Sequence, residues 1–233
     1  MGIPEIPVAK RGGHGYHRRA MGSESRLSPA ETWYAQGVEA YKAGKYEEAL
    51  VAFARALSSD PKYHRALVFQ GLSHMELKNY DDARRALEAA VELAPTYAKA
   101  HNALGNVYRR TGDLDLAIQS FTKAASLEPR VAEYHYNVGI SRLDINHVPE
   151  AIDALKEAAR YAPKDVDIQA ELAAAFMRNK AYHDALQVLE DFVRRCPEDD
   201  RVVEIKVRIS KLKKKIEDER AAAGEAPPPP PEA

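Results

Sequence analysis

Residues 98–131 read AKAHNALGNVYRRTGDLDLAIQSFTKAASLEPRV, and this stretch decides the fold. Gly105 stands eighth in it, Ala117 twentieth, Phe121 twenty-fourth, Ala124 twenty-seventh, and Pro129 near its end. Stepping 34 residues in either direction finds the same pattern again. Pro61, Pro95, Pro129, Pro163 and Pro197 are evenly spaced at that interval. The blocks 30–63, 64–97, 98–131, 132–165 and 166–199 align without a gap. Their eighth positions are Gly37, Gly71, Gly105, Gly139 and Ala173. Their twentieth are Ala49, Ala83, Ala117, Ala151 and Ala185. The twenty-fourth are Phe53, Leu87, Phe121, Leu155 and Leu189, and the twenty-seventh Ala56, Ala90, Ala124, Ala158 and Phe192.

Each block reads as two amphipathic helices. The eighth-position Gly is expected to face the small Ala of the second helix, so that the axes approach near the close end of the usual ~8–10 Å range. The large twenty-fourth residue is expected to fill the space beside that contact. One helix pair cannot bury its apolar face alone, whereas stacked pairs share a continuous core. The fifteenth positions, Gly44, Lys78, Gly112, Asn146 and Lys180, mark the turn inside each pair. Gly and Asn accept the left-handed conformation of a tight helix exit. Lys78 and Lys180 accept it less readily, so their turns are expected to differ. The prolines close the second helix of each block.

The pattern of Trp, Leu-Gly, Tyr, Ala, Phe and Pro at fixed offsets resembles the tetratricopeptide-repeat family. Trp33, Gly37, Ala49, Phe53 and Pro61 carry it in the first block. Leu104, Gly105, Tyr108, Ala117, Phe121 and Pro129 carry it most fully in the third. The chain departs from the pattern where His101, His135 and Gln169 replace the Trp, and these are expected to be packing residues. The fold this implies is all-α: a right-handed α-solenoid of stacked antiparallel helix pairs with a C-terminal capping helix.

The ends read differently. Residues 1–29 are expected to be a disordered basic segment, from their Gly, Pro, Arg and His content. Ser28-Pro29-Ala30-Glu31 looks like a capped helix start. Over 200–220, Val202, Ile205, Ile209, Leu212 and Ile216 recur at intervals of three and four, the apolar seam of a helix that covers block five. Lys211, Lys213, Lys214 and Lys215 lie beside it as a solvated face. The tail 221–233 holds Pro227 to Pro231 and is expected to be extended and disordered.

Composition bounds the chemistry. A formal net charge of −1 argues against a chain that coats nucleic acid. No apolar run reaches the roughly 18 residues of a membrane span, and the N-terminus lacks the apolar core of a signal peptide. A cytoplasmic location is expected. Cys196 is the only cysteine, which excludes an intramolecular disulfide and a cysteine-based zinc site. No zinc helix, phosphate loop or nucleophile elbow occurs. His14 and His17 form no convincing metal pair. Carboxylate pairs such as Glu47-Glu48 and Asp81-Asp82 begin second helices, where the helix dipole favours them. The expectation is no enzyme, no cofactor and no metal.

The resemblance implies that first helices line a concave groove. Carried over residue by residue, the groove comprises Tyr34, Val38, Tyr41, Lys42, Val68, Leu72, Met75, Lys99, Asn102, Asn106, Arg109, Arg110, Tyr136 and Ile140. Asn side chains pair with both backbone groups of an extended peptide, and Arg grips carboxylates bidentately. The expected partner is therefore a protein or peptide of apolar and acidic character, centred on block three, held by a non-enzymatic scaffold. The family's clamp for a chaperone C-terminal carboxylate is not satisfied. Asn102 replaces one required Lys, and Asp167 and Glu171 replace the required Lys and Arg. The alternative function is self-assembly through the end faces or a weak oligomer through 200–220.

Overall fold

The computed structural model describes residues 27–223, and among them the chain forms eleven α-helices and no strand. Five antiparallel pairs follow the repeat: α1 (Pro29–Lys42) with α2 (Tyr46–Ser59), α3 (His64–Glu76) with α4 (Tyr80–Leu93), and α5 (Ala98–Thr111) with α6 (Leu114–Leu127). Then come α7 (Ala132–Asp144) with α8 (Val148–Tyr161), α9 (Val166–Arg178) with α10 (Tyr182–Arg195), and a longer α11 (Val202–Ala222). Each helix packs mainly on the one before and the one after, as a stacked α-solenoid requires. Residues 1–26 and 224–233, including His14, His17 and the proline run, lie outside the described residues.

The chain starts as its first residues dictate. The Ser28 hydroxyl accepts from the Glu31 backbone N–H at 3.2 Å, and Glu31 reaches back to the Ser28 N–H at 2.7 Å. That reciprocal cap satisfies two otherwise open donors. These hydrogen bonds hold the Glu31 carboxyl below its usual range.

The core consists of the repeated positions. The five alanines at position twenty are completely buried, as are Phe53, Leu87, Phe121 and Leu155 at position twenty-four. The glycine contact differs from expectation. A Cβ built on Gly37 would lie 2.5 Å from the Phe53 ring, one on Gly71 2.5 Å from Leu87, and one on Gly105 2.7 Å from the Phe121 ring. The eighth-position Gly therefore faces the large twenty-fourth side chain, not chiefly the small Ala. The missing Cβ makes room for a knob that enters the first helix's surface.

The turns also correct expectation. Lys78 (φ 62°) and Lys180 (φ 59°) take the same left-handed conformation as Asn146 (φ 62°), Gly44 (φ 74°) and Gly112 (φ 90°). A left-handed non-glycine residue costs roughly 1–2 kcal/mol. The packing of paired helices, identical in each block, overrides that local preference.

Each second helix ends with the residue before its proline donating to a position-twenty-seven carbonyl, as Asp60 does to Ala56 at 2.9 Å. The departures at the Trp position then have a specific role. His101 Nε2–H donates to the Pro95 carbonyl at 2.9 Å, and His135 Nε2–H to Pro129 at 2.8 Å. Gln169 Nε2 donates to Pro163 at 3.4 Å. These side chains are more than packing residues, because they tie the turns at Pro95, Pro129 and Pro163 to the first helix that follows each.

Two predictions follow from this packing. Gly105→Ala is expected to cost about 1–3 kcal/mol by overpacking. In urea denaturation the Gly105→Ala/Phe121→Ala double variant should lose less than the sum of the single losses, and strict additivity would contradict the contact. The second concerns alkali. Burial, then the Glu128 and Glu133 carboxylates, push the Tyr134 phenol from 10.0 up to about 12. Its folded value lies above its unfolded one, so its contribution is complete below pH 10 and is lost as pH rises toward 12. Stability should fall across that window, and Tyr134→Phe should flatten part of the fall; an unchanged slope would clear Tyr134 as a cause.

Candidate functional site

First helices supply a groove of about 490 Å³ across the first four pairs. Tyr34 and Val38 come from α1, Arg65, Val68, Phe69 and Leu72 from α3, and Lys99, Asn102, Ala103 and Asn106 from α5. Glu133 and Tyr134 come from α7, and Tyr97 from the turn before α5. Half of the expected residues meet here: Tyr34, Val38, Val68, Leu72, Lys99, Asn102 and Asn106.

The other seven lie elsewhere. Tyr41 packs edge-on against Phe69 and Tyr46, with ring centroids 5.6 and 5.5 Å away. Lys42 is exposed and pairs with Glu39 at 3.2 Å. Met75 packs on the core between the second and third pairs, and Ile140 on the core nearer the C-terminus. Tyr136 lines a separate hollow, and neither Arg109 nor Arg110 lines the groove. Phe69, Ala103, Tyr97 and Tyr134 join the groove although the carried-over positions omit them. Phe69 and Ala103 are sixth in their blocks, one helical turn beyond the second position, so a strict helical count places them on the same face.

The polar residues divide into engaged and free. Asn102 is 9% exposed. Its Nδ2 donates to Glu133 Oε1 at 2.9 Å, and its Oδ1 accepts from Asn137 Nδ2 at 2.8 Å. Asn102 is thus part of a buried strut between α5 and α7, not a free peptide-binding amide. The Arg65 guanidinium lies over the Tyr34 ring at 4.9 Å. Asn106, half-buried on α5, and Lys99, exposed about two turns earlier, have no hydrogen-bond or ion-pair partner among the described residues.

Charge changes sign between this groove and the next hollow. The neighbouring hollow, about 260 Å³, is lined by Ala132, Glu133, Tyr136, Asp165, Asp167 and Ile168. Burial, then Glu171 and Asp167, raise the Tyr136 phenol above its ordinary value, while Arg109 opposes the rise. Asp165 caps α9 through the backbone N–H groups of Asp167 and Ile168, and Asp167 pairs with Arg201 at 2.5 Å. The end bearing Arg65 and Lys99 is basic, and the end beyond Tyr136 is acidic.

With fold and groove established, comparison with known proteins fixes the class. The tetratricopeptide-repeat profile matches residues 34–98, 70–132 and 136–200, more than half the chain. The chain belongs to the tetratricopeptide-repeat family. Members generally act through protein–protein contacts and are generally non-enzymatic. No curated protein matches the sequence. Among solved structures, PilF of Pseudomonas aeruginosa is similar with TM-score 0.69 and 20% identity, covering 84% of this chain and 88% of its own. MamA of Desulfovibrio magneticus RS-1 is similar with TM-score 0.66 and 17% identity, covering 75% and 98%. YrrB, described as a tetratricopeptide-repeat protein with an unusual peptide-binding site, gives TM-score 0.60 and 18% identity, covering 76% and 91%. These likenesses establish the fold. No helix among the described residues is long and apolar enough to cross a membrane.

The division between engaged and free amides is testable. Asn102→Ala would leave Asn137 and Glu133 without their partner and is expected to cost about 1–3 kcal/mol of stability. Asn106→Ala should stay within about 0.5 kcal/mol of the parent. Equal costs for the two in urea denaturation would contradict the assignment.

Proposed function

We propose that the chain is a scaffold whose groove binds an extended segment of a partner protein, with apolar side chains and at least one carboxylate. The observation that carries this reading is the pairing of an apolar floor with free polar groups. Val38, Val68 and Leu72 offer the floor, and Asn106 and Lys99 stand beside it without partners among the described residues. An extended peptide leaves its backbone N–H and C=O groups open, and a side-chain amide matches both. Lys99, with Arg65 nearby, favours an acidic side chain at the same end. The ligand's centre therefore lies over α3 and α5, with Asn106 in the role that Asn102 cannot take. A chaperone-type carboxylate clamp is disfavoured, because Asp167 and Glu171 would repel a terminal carboxylate.

Selection from a displayed random-peptide library on the immobilised full chain tests this reading. Enriched peptides should combine apolar residues with Asp or Glu. Lys99→Glu should shift the enrichment toward Lys and Arg. Asn106→Ala should weaken a selected peptide about five- to tenfold, the loss of roughly one hydrogen bond. Enrichment without acidic residues, or one that Lys99→Glu leaves unchanged, would refute the groove reading.

A further inference from the structure

The helix α11 continues the repeat register beyond the fifth pair. Counting from residue 200, Val202, Ile205 and Ile209 fall on the third, sixth and tenth positions, and all three are buried. The third and tenth positions in α5 are Ala100 and Val107, and both are fully buried against the preceding pair. Arg201 pairs with Asp167 exactly one period earlier in sequence, both at second positions. So α11 lies where the first helix of a sixth pair would lie.

Among the described residues no second helix covers that place. In the complete pairs the eighth position faces the second helix, as the Gly105 contact with Phe121 shows, and the fourth lies beside it as well as beside the preceding turn, as Trp33 under Arg55 and His135 stacked on Tyr161 show. In α11 these positions are Val203 and Val207, which are 73% and 50% exposed. The helix does not turn at its fifteenth position, Lys214, but runs on to Ala222. Glu219 stands where the other blocks have their buried twentieth Ala.

Charge selects what can cover this face. Arg208 is paired with Glu204, Lys213 with Glu190, and Lys215 lies over the Tyr182 ring. Lys206, Lys211 and Lys214 are exposed and have no partner among the described residues. At about 100° per residue, Lys214 falls in line with Val203 and Val207, and Lys206 and Lys211 flank that line. Glu217 and Asp218 fall near the same line but about three turns beyond Val207, so the charge around the two valines themselves is basic. A two-fold contact centred on Ser210 would set Lys206 against Lys214 of the copy. An acidic partner is attracted.

We propose that the outward face of α11 is a docking site for an acidic amphipathic helix of a partner protein, which completes the sixth pair in trans. The face also sets a shape requirement. Val207 occupies the register of the glycines, whose missing Cβ admits a Phe or Leu knob. The docking helix therefore presents a small residue opposite Val207. This surface is separate from the groove.

The probe is a stapled 14-residue peptide with the α4 sequence, a second helix of this chain that carries more acids than bases, changed by Leu87→Ala. Two control peptides retain Leu87 or replace the acids by their amides. Fluorescence anisotropy on the full chain should show the acidic, Ala-bearing peptide binding about tenfold more tightly than either control. Val203→Asp/Val207→Asp, both exposed changes, should abolish that binding, and Lys206→Glu/Lys211→Glu/Lys214→Glu should invert the charge preference. Lys99→Glu should leave it unaltered. The proposal fails if the three peptides bind alike or not at all, or if Lys99→Glu removes binding and so places the peptide in the groove. It also fails if sedimentation shows self-association that Val203→Asp/Val207→Asp abolishes, because the occupant is then a second copy. Tighter peptide binding after removal of residues 224–233 would make the chain's own tail the occupant and would equally overturn it.

Discussion

The contact between an eighth-position glycine and a twenty-fourth-position knob is the constraint on which the rest depends. It lets a ring or a branched side chain enter the surface of the neighbouring helix, and it recurs at Phe53, Leu87, Phe121 and Leu155. Because the same volume is filled the same way each time, the pairs stack with one geometry. That geometry is strong enough to hold Lys78 and Lys180 in a backbone region that lysine avoids. Block five relaxes the rule, with Ala173 facing its second helix and Phe192 filling a position held by alanine elsewhere. It is also the block on which α11 closes, and the larger side chains there extend the core to Ile205, Ile209 and Leu212.

Upon this apolar frame the polar residues act at two levels. Some are internal ties. His101, His135 and Gln169 hold successive proline turns, and Asn137, Asn102 and Glu133 join α5 to α7. Buried amides in a chain of this kind rigidify the groove wall because each leaves few alternatives once its partners are set. Others remain open to a ligand, and Lys99 and Asn106 stand close to the strut without belonging to it. Asn102 of the strut and Lys99 and Asn106, unpartnered among the described residues, all lie on α5, the first helix with the most buried residues in the stack.

The two ends of the stack are finished differently. At the N-terminal end, Thr32, Gln36 and Glu39 are exposed at positions that in α5 are the buried Ala100, Leu104 and Val107. Polar substitution alone makes that face compatible with water. At the C-terminal end α11 covers block five, yet it presents Val203 and Val207 outward. An end face that carries exposed valines within a basic rim is chemically unlike one whose exposed residues are alanines among polar and charged side chains.

The sequence by itself determined the period, the helix pairs, the turn positions and the identity of the core, because those depend on spacing along one chain and on side-chain size. It also indicated that α11 would carry an apolar seam, since Val202, Ile205, Ile209 and Leu212 recur at helical intervals. The family resemblance, more than the residues themselves, pointed to Tyr34, Val38, Val68, Leu72, Lys99 and Asn106, which line one groove. Only the tertiary structure decided which residue fills the glycine gap, that Asn102 is engaged, that Tyr41 and Met75 are packed inward, and that Tyr136 lies in a separate acidic hollow. The reason is physical. Register fixes the direction in which a side chain leaves its helix, whereas hydrogen bonding and burial depend on distances between helices that are 31 to 35 residues apart in sequence, as the Asn102–Glu133 and Asn137–Asn102 bonds are.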